Sequence, residues 1–339
     1  MNKIVIAIPV YNEEIFIERC LKSVLAFEIP ENIEHEIWIL DGGSKDQTLP
    51  IVKKYQKKNK IIRLIHNRGK TQSYAMNLSI MESTSDWLMR LDGHSIYPSN
   101  YLKLLFETAK KTGASNVGGI WDIQKIGDTL SDYMVHGLLS HSFGIGNSGF
   151  RNRFISGEVD TVPYGFFKKE VFEKVGFFDN RLIRGQDYEF NIRLKKYGYK
   201  IWLNSDIRIK YFPKGNIIDI IKKYFILEAP YNAYMWHVAP YTFSIRHAIT
   251  SFFVLGLFGG GILSFHSKLI FTFYISVVLF YLFLSIISSL QLSIKNKNIS
   301  LFFLMPFTFF IFHVTHGIGV IIGLIKLIFG IAPISKISN

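Results

Sequence analysis

The last third of the chain contains no acidic residue, and this feature most limits how the chain can fold. All 26 Asp and Glu of the 339 residues lie at or before Glu228. Three apolar stretches follow, at 248–265, 269–292 and 301–325. Each can cross a hydrocarbon core about 30 Å thick, which takes roughly 20 residues. Soluble helices seldom run this long without a charge, so the sequence predicts three transmembrane helices in a membrane domain over 241–339.

The first residues and one loop predict on which side of the membrane the first domain lies. MNKIVIAIPVYNEE has an apolar run of only about eight residues followed directly by carboxylates, which does not fit a signal peptide. The loop SIKNKNIS carries Lys295 and Lys297, and basic loops favour the cytoplasmic side. We expect a multi-pass protein of the inner (cytoplasmic) membrane whose first domain is cytoplasmic. The single Cys20 fits that reducing compartment.

The net charge of +13 at pH 7 points to anionic partners. Part of the basic excess lies beside the apolar stretches, at Arg246, Lys268 and Lys326. Membrane lipids or an anionic substrate explain this excess more simply than nucleic acid does. We therefore expect no nucleic-acid partner, and the sequence predicts no particular oligomeric state.

Residues 3–124 alternate apolar runs with amphipathic stretches, which is typical of a mostly parallel sheet covered by helices. The predicted strands are 4–8, 36–40, 61–65, 87–91 and 116–120, and the predicted helices are 13–26, 47–57, 71–81 and 99–112. Later, 159–179 is expected to hold a strand and a helix, and a helix from about Gln186 leads into a strand at Lys200. The predicted fold class is α/β.

Two segments fit this pattern less clearly. Residues 140–154 are rich in Gly, Ser and Arg and are predicted to form a mobile loop beside the site. In 213–240 apolar residues recur at helical spacing, with Lys222 and Lys223 opposite part of that stripe. This indicates either an amphipathic linker helix lying on the membrane surface or a buried helix of the first domain.

Polar groups follow the predicted strands where each strand ends. These places read PVYNEE, DGGSKD, HNRGKTQ and DGHS. In open α/β sheets ligands bind outside the carboxyl ends of the strands. Carboxylates and cations gathered at one edge suit a metal–phosphate ligand, although polar loops at strand ends are also common without any ligand.

Two aspartates in this part of the chain allow a functional and a structural interpretation. RLDGHSIYP places Asp92 and His94 two residues apart after an apolar run, which is compatible with a metal site or with an ordinary turn. Asp187 falls in the first turn of a predicted helix, where the positive end of the dipole stabilises an ionised carboxylate. It can equally be a helix-start residue with no further role.

Together these stretches resemble the family 2 glycosyltransferases, which have the GT-A fold. The motifs that carry the resemblance are IPVYNEEIFIERCLKSVL, LDGGSKDQT, RGKTQSYAMNLSI, LDGHSIYP, VDTVPYGFF and GQDYEFNIRL. Their order and spacing cover roughly 3–212, and the chain is most similar to membrane-anchored, succinoglycan-type enzymes of bacterial exopolysaccharide assembly. The resemblance implies a Rossmann-like nucleotide-sugar domain over 1–212, followed by the linker over 213–240 and the membrane domain.

The resemblance also implies which residues bind the donor. Asp41 matches the aspartate that contacts the base, usually uracil; the family commonly has a second Asp where this chain has Gly42. The remaining positions match residues that line the nucleotide pocket or lie near the diphosphate: Pro9, Tyr11, Glu13, Arg68 and Lys70.

Asp92 matches the first aspartate of the family's Asp-x-Asp metal motif, and His94 stands at the position of the last. In an extended segment residues i and i+2 face the same way, so both side chains can reach one ion. An oxygen and a nitrogen ligand shift the preference from Mg²⁺ toward Mn²⁺. Alternatively, Asp92 alone binds the divalent metal and His94 contacts the diphosphate.

For catalysis, Asp187 matches the base of the family's Glu-Asp motif, with Gln186 in place of the Glu. Such a carboxylate takes the proton of the acceptor hydroxyl while that oxygen attacks the anomeric carbon, so the transfer is inverting. Asp160 and Gly165 match positions that shape the acceptor side in relatives, and Gln186 is expected on the same side.

These roles predict a metal-dependent, inverting transfer of a sugar from a nucleotide-sugar, expected to be UDP-linked, to a lipid-linked saccharide. One alternative is transfer directly to polyprenyl phosphate. Another is a non-catalytic scaffold that only binds nucleotide-sugar. A processive synthase is disfavoured because no Gln-x-x-Arg-Trp sequence follows Asp187.

Overall fold

The computed structural model describes residues 2–146, 150 and 155–331. The chain divides into two compact units. The first comprises Met1–Asp122 with Gly149–Phe212, and the second comprises Ile123–Ser148 with Pro213–Asn339. Each unit is therefore built from two separate segments of the chain.

The first unit is built on one nine-stranded sheet with the order β3-β2-β1-β4-β8-β6-β9-β5, in which β7 pairs with β9. The strands are β1 Asn2–Val10, β2 Ile33–Asp41, β3 Ile62–His66, β4 Trp87–Arg90, β5 Ser95–Ile96, β6 Asn116–Ile123, β7 Gly157–Glu158, β8 Phe166–Lys168 and β9 Ile201–Tyr211. β1 is parallel to β2 and to β4, and β2 is parallel to β3. β8 is antiparallel to both β4 and β6, so the second half of the sheet is mixed.

Helices cover this sheet and make up the second unit. In chain order they are α1 Ile17–Leu25, α2 Thr48–Lys58, α3 Gln72–Glu82, α4 Tyr101–Thr112, α5 Leu130–Ser140, α6 Ser142–Ile145, α7 Glu170–Val175, α8 Gln186–Lys196, α9 Ile217–Lys223, α10 Ala229–Val238, α11 Ile245–Leu263, α12 Lys268–Asn296 and α13 Ser300–Ile328.

Alternation along β1 explains why helices lie on both faces of the sheet. Ile4, Ile6 and Ile8 join a core with α1 and α4, whereas Val5 and Ala7 join a second core with α3, α7 and α8. A strand buried on both faces reads as a continuous apolar run, as β1 does. The predicted fold class, a GT-A-like α/β domain followed by apolar helices, is confirmed.

The predicted elements of the first domain are all present, with shifted ends. α1 begins at Ile17 and not at Glu13, because the intervening residues form a turn in which Phe16 N donates to Glu13 O at 2.9 Å. α8 begins at Gln186, as predicted. The strand predicted at Lys200 begins at Ile201.

The second unit contains three helices that are long and apolar enough to cross a membrane, at Ile245–His266, Lys268–Asn296 and Ser300–Ile328. Many of their large apolar side chains are exposed, among them Phe252, Phe283 and Phe307. Exposed apolar surface on this scale indicates membrane association. The three predicted apolar helices are thus present, each longer than the sequence indicated.

The linker segment is helical and packs within the second unit. α9 and α10 are joined by a π-helical turn at Tyr224–Glu228. Gly319 and Gly323 of α13 allow close contact with them, since an added Cβ would lie 2.7 Å from Phe225 O and 2.8 Å from Pro230 Cα. The interpretation as a helix of the first domain is therefore wrong, while a location at the membrane surface stays a prediction.

Residues 123–146 differ from the predicted domain boundary, because they pack with the second unit. His313 Nε2 lies 2.9 Å from Gly144 O, and an added Cβ at Gly137 would lie 3.1 Å from Leu292 Cδ1. The contacting residues belong to α12 and α13, far along the chain, so no local pattern revealed this packing. Of the predicted mobile loop, 142–145 are helical, and 147–149 and 151–154 lie outside the described residues.

Candidate active site

The first four strands end at one edge of the sheet. The register pairs Val10 with Asp41, Asp41 with His66, and Ala7 with Arg90. The loops that follow these strands therefore begin side by side, as expected for parallel strands. The predicted donor-binding residues all lie on or beside these loops.

Two of these loops are held together by reciprocal hydrogen bonds. Asn12 N donates to Ser44 Oγ at 3.0 Å, and Lys45 N donates to Asn12 Oδ1 at 2.9 Å. Pro9 lies near the end of β1. Tyr11 lies in the loop that follows β1, one of the two loops joined in this way, and its side chain is 54% exposed. An exposed aromatic ring on a rigid support is well suited to stack on a nucleotide base.

Asp41 is buried at the end of β2, and its carboxylate caps its own loop. Oδ2 accepts from Gly43 N at 2.9 Å and Oδ1 accepts from Ser44 N at 3.1 Å. These bonds fix the carboxylate, and a carboxylate has about four acceptor sites in all. Asp41 can therefore accept a further N–H from a base, which stays a prediction.

Arg68 and Lys70 are exposed on the loop between β3 and α3. Lys70 has a φ of 54°, in the left-handed region, and its N donates to Asn67 O at 3.0 Å. Gly69 is required here because an added Cβ would lie 2.3 Å from the ring of Tyr74. The loop presents two cations on a tight, packed turn, as diphosphate binding needs.

A buried arginine connects the two aspartates that the sequence singled out. Arg90 is only 4% exposed; Nη2 donates to Asp92 Oδ1 at 3.0 Å and Nη1 donates to Asp187 Oδ2. Gln72 Nε2 also donates to Asp92 Oδ1, at 3.1 Å, and Gln72 Oε1 accepts from Gln186 Nε2. We call these five residues the central cluster. Arg90 joins its two aspartates directly, and Gln72 joins Asp92 to Gln186, the residue before Asp187.

Arg90 is held by the strand next to it. Its backbone N donates to Gly165 O at 3.0 Å, and its guanidinium lies 5.4 Å from the centre of the Tyr164 ring. Gly165 has a φ of 101°, and an added Cβ would lie 2.4 Å from the ring of Phe167. Gly165, predicted on the acceptor side, therefore supports the backbone of β4.

Asp187 lies in the first turn of α8, after Gly185 with a φ of 76°. Asn191 in the next turn fixes the helix, because it accepts from Asn116 Nδ2 at 2.7 Å and donates to Thr161 Oγ1 at 2.8 Å. Burial raises the pKa of the Asp187 carboxyl, and the positive charge of Arg90 opposes that rise. Its side chain is still 31% exposed, so it can be reached from solvent.

His94 faces a second buried carboxylate. Its Nδ1 lies 3.2 Å from Glu13 Oε1, and Glu13 N donates to Thr48 Oγ1 at 2.7 Å. β4 ends at Arg90 and Gly93–His94 form a turn, so the segment is not extended as the sequence interpretation assumed. Among the described residues no group of three or more His, Cys, Asp or Glu could hold a metal.

Asp160 lies apart from the central cluster. It pairs with Lys195 Nζ at 2.5 Å and is 61% exposed. Lys195 follows Asp187 by about two turns of α8, or about 12 Å along the helix axis. Of the predicted acceptor-side residues, only Gly165 and Gln186 lie beside Asp187 or Arg90.

Sequence reasoning did not assign Arg90 or Gln72 any role. Gln72 lies inside a motif that carries the family resemblance and Arg90 directly precedes another, and one pattern pointed to Arg90. A charged residue ends the wholly buried strand WLMR, and a charge is rarely buried unless it is paired. Its pairing with Asp187 could not be named, because Asp187 is 97 residues away along the chain.

The profile named Glycosyl transferase family 2 matches residues 5–176, about half of the chain. The chain belongs to this family. The predicted family and the predicted glycosyltransferase activity are confirmed, and a non-catalytic scaffold is not supported.

Two curated relatives of this family 2 glycosyltransferase cover different shares of it. It is 31% identical over 344 residues to a Methanococcus voltae enzyme named dolichyl N-acetyl-alpha-D-glucosaminyl phosphate 3-beta-D-2,3-diacetamido-2,3-dideoxy-beta-D-glucuronosyltransferase, covering 96% of this chain and 98% of the relative. It is 29% identical over 224 residues to succinoglycan biosynthesis protein ExoA of Rhizobium meliloti (strain 1021), covering 65% of this chain and 66% of the relative. Among solved structures, S. aureus TarS 1-349 in complex with UDP aligns over 90% of each chain, with a TM-score of 0.46 and 15% identity.

Proposed function

We propose that this glycosyltransferase moves a sugar, with inversion at the anomeric carbon, from a nucleotide-sugar to a lipid-linked saccharide at the cytoplasmic face of a membrane. The observation that carries the proposal is the central cluster, in which Arg90 contacts both Asp92 and Asp187. It joins an aspartate beside the donor loops to an aspartate suited to act as a base.

The proposed acceptor follows from the membrane helices and from one relative. The Methanococcus voltae enzyme, matched over 98% of its length, is named for a sugar carried on dolichyl phosphate. Three apolar helices in this chain would keep the enzyme at the surface where such a lipid is presented. Extension of a lipid-linked saccharide is therefore favoured over transfer to bare polyprenyl phosphate.

On the acceptor side, Asp187 takes the proton from the attacking hydroxyl. Burial raises its pKa, which makes the ionised carboxylate a stronger base. Its Oδ2 is engaged by Arg90. The acceptor hydroxyl would therefore be bound by the other oxygen.

On the donor side, Tyr11 and Asp41 bind the base, and Arg68 and Lys70 contact the diphosphate as it leaves. These cations stabilise negative charge that develops on the leaving group. Glu13 belongs to the same pocket, because it orients His94 beside it.

The donor set of Asp92 and His94 fits one loosely held divalent ion. Asp92 Oδ1 is engaged by Arg90 and Gln72, which leaves Oδ2 as a ligand. A histidine whose Nδ1–H points to a carboxylate, as His94 points to Glu13, leaves Nε2 free to bind a metal. Mg²⁺ and similar ions often take one or two protein ligands plus substrate phosphates. Such an ion, Mn²⁺ or Mg²⁺, would supply further charge stabilisation on the diphosphate.

The test is a transfer assay with the full-length protein in lipid nanodiscs. UDP-, GDP- and dTDP-sugars are offered with either a polyprenyl-phosphate-linked saccharide or bare polyprenyl phosphate, and with Mn²⁺, Mg²⁺ or a chelator. We expect transfer to the lipid-linked saccharide, loss of transfer with chelator, and an inverted anomeric configuration by NMR of the product.

Each arm of that assay addresses a different part of the proposal. Transfer to the bare lipid phosphate alone would replace the proposed acceptor. Full activity in chelator would remove the metal from the mechanism. A retained anomeric configuration would contradict the role of Asp187 as the base in a single displacement.

A further inference from the structure

We propose that Arg90 is a positioning residue that holds Asp92 and Asp187 at a fixed separation, so that the donor side and the base side act as one reaction centre. This inference rests on the proposed function, because it assigns Arg90 a role through those two aspartates. The family resemblance gives no role to this position.

The geometry of the guanidinium is the first reason. One nitrogen donates to Asp92, two residues along the chain, and another donates to Asp187, 97 residues along the chain. A guanidinium is planar, with its N–H donors in a rigid fork. Two carboxylates bound to the same fork are held at a distance that the fork sets.

Charge is the second reason. Asp92 and Asp187 are close enough for the charge of Asp92 to raise the pKa of Asp187. Two carboxylates near each other repel unless a cation lies between them. Arg90 is that cation, and its charge favours the ionised state of Asp187, which a base requires.

Immobility is the third reason. Arg90 is the last residue of β4, which lies between β1 and β8 in the sheet, and its backbone N is bonded to Gly165 O. At 4% exposure its side chain has no access to a substrate in bulk solvent. Arg90 therefore acts through the two aspartates and does not itself bind the substrate.

A second link runs parallel to this one and strengthens the case. Gln72 donates to Asp92 and accepts from Gln186, the residue before Asp187. Arg90 and Gln72 thus connect the same two loops by separate routes. These hydrogen bonds and the peptide bond between Gln186 and Asp187 form a closed ring, which defines the relative position of both aspartates.

The experiment compares Arg90→Lys and Arg90→Gln with the unchanged protein in the nanodisc transfer assay. Lysine keeps the charge but is a point cation without the fork, so we expect kcat to fall about 10-fold or more with little change in the donor KM. Glutamine also loses the charge, so we expect a fall of about 100-fold and an acid limb of the kcat profile at higher pH, because Asp187 loses its neighbouring cation.

Arg63→Gln is the matched control. Arg63 also contacts a carboxylate, Glu36, at 3.3 Å, and lies 4.8 Å from the ring of Trp38, but it is half-exposed and outside the central cluster. It should change neither kcat nor the pH profile. Thermal unfolding of every variant separates loss of stability from loss of positioning.

A double variant distinguishes positioning from a general structural role. If Arg90 works through Asp187, adding Arg90→Gln to Asp187→Asn costs much less than it costs alone, within about 3-fold, because residues in one network are not additive. Equal losses in both backgrounds, or an Arg90→Lys kcat within about 2-fold of the unchanged protein, would overturn the proposal.

The same set separates this inference from the function on which it rests. If Asp187→Asn abolishes transfer while both Arg90 variants turn over normally, the proposed base stands and Arg90 has no positioning role. If Asp187→Asn turns over normally, the proposed base and the role of Arg90 both fail. Should Arg90→Gln fail to fold, Arg90→Lys alone decides the question.

Discussion

The two sides of Arg90 are built in different ways. The donor side consists of loops that follow parallel strands, so the segments that carry Tyr11, Asp41 and Asp92 begin side by side because their strands are in register. The base side enters through the antiparallel strand β8 and the start of α8, which carries Asp187. The position of the donor side therefore follows from the order of the first strands along the chain. The position of the base side depends on a segment that packs against the sheet much later in the chain.

The largest expected effect lies on the base side. Asp187→Asn keeps an acceptor oxygen for Arg90 but removes the base, so we expect kcat to fall by about 10³-fold or more with donor binding unchanged. Single-turnover transfer together with calorimetric donor binding measures both. Near-normal turnover would show that another residue is the base and that Asp187 does not define a base side.

The donor side should respond next, and differently. Asp92→Asn weakens a ligand of the proposed ion and a partner of Arg90, so we expect a fall of about 10²-fold in kcat/KM, with loss of stimulation by Mn²⁺ or Mg²⁺. Initial rates across a metal titration report this. If kcat/KM fell but the metal response stayed intact, Asp92 would serve only Arg90.

The pH profile tests the base side without a mutation. A base works in its ionised form, and burial raises the pKa of Asp187, so activity should be lost at a higher pH than an ordinary carboxyl, near 3.9, would give. Below that pKa kcat should fall about tenfold for each pH unit. Kinetics in matched buffers, with donor saturating, locate the limb. A flat profile down to the ordinary value would show that another group limits the rate.

Glu13 and His94 sharpen the donor side. Glu13→Gln loses the carboxylate that faces His94 Nδ1, so we expect about a 10-fold weaker activation by Mn²⁺, as is common when the outer partner of a metal ligand is changed. The metal concentration for half-maximal rate measures it. Glu14→Gln is the control, because Glu14 lies next to Glu13 on the same loop but accepts a hydrogen bond from Gln47 N and does not face His94. Identical metal responses in both variants would show that His94 does not bind the metal and that it contacts the phosphates or stabilises the fold.

The smallest effect should come from Asp160. Its pair with Lys195 is exposed, and such pairs contribute about 0–1 kcal/mol, so Asp160→Asn should change kcat and the acceptor KM by less than about 2-fold. Kinetics with the lipid-linked acceptor provide the measurement. A rise of 10-fold in acceptor KM would show that the acceptor also contacts the part of α8 near Lys195.

The elements that the sequence predicted well are those with a strong local pattern. β1 is a continuous apolar run, and the helices of the second unit are long apolar stretches, so both were recognisable without tertiary information. α5 was missed because the residues that bury it lie on α12 and α13, more than a hundred positions later. The prediction that Asp92 and His94 lie in an extended segment was wrong, since β4 ends before both residues.

By itself the sequence determined the α/β class, the family, the three apolar helices and the edge of the sheet where Asp41 and Asp92 lie. It could do so because strand periodicity, helix length and motif order are properties of neighbouring residues. Only the tertiary structure decided that Arg90 lies between Asp92 and Asp187 and that Asp160 lies apart from them. Those contacts depend on how β8 and α8 pack back against β4, and packing between distant segments leaves no periodic trace in the chain.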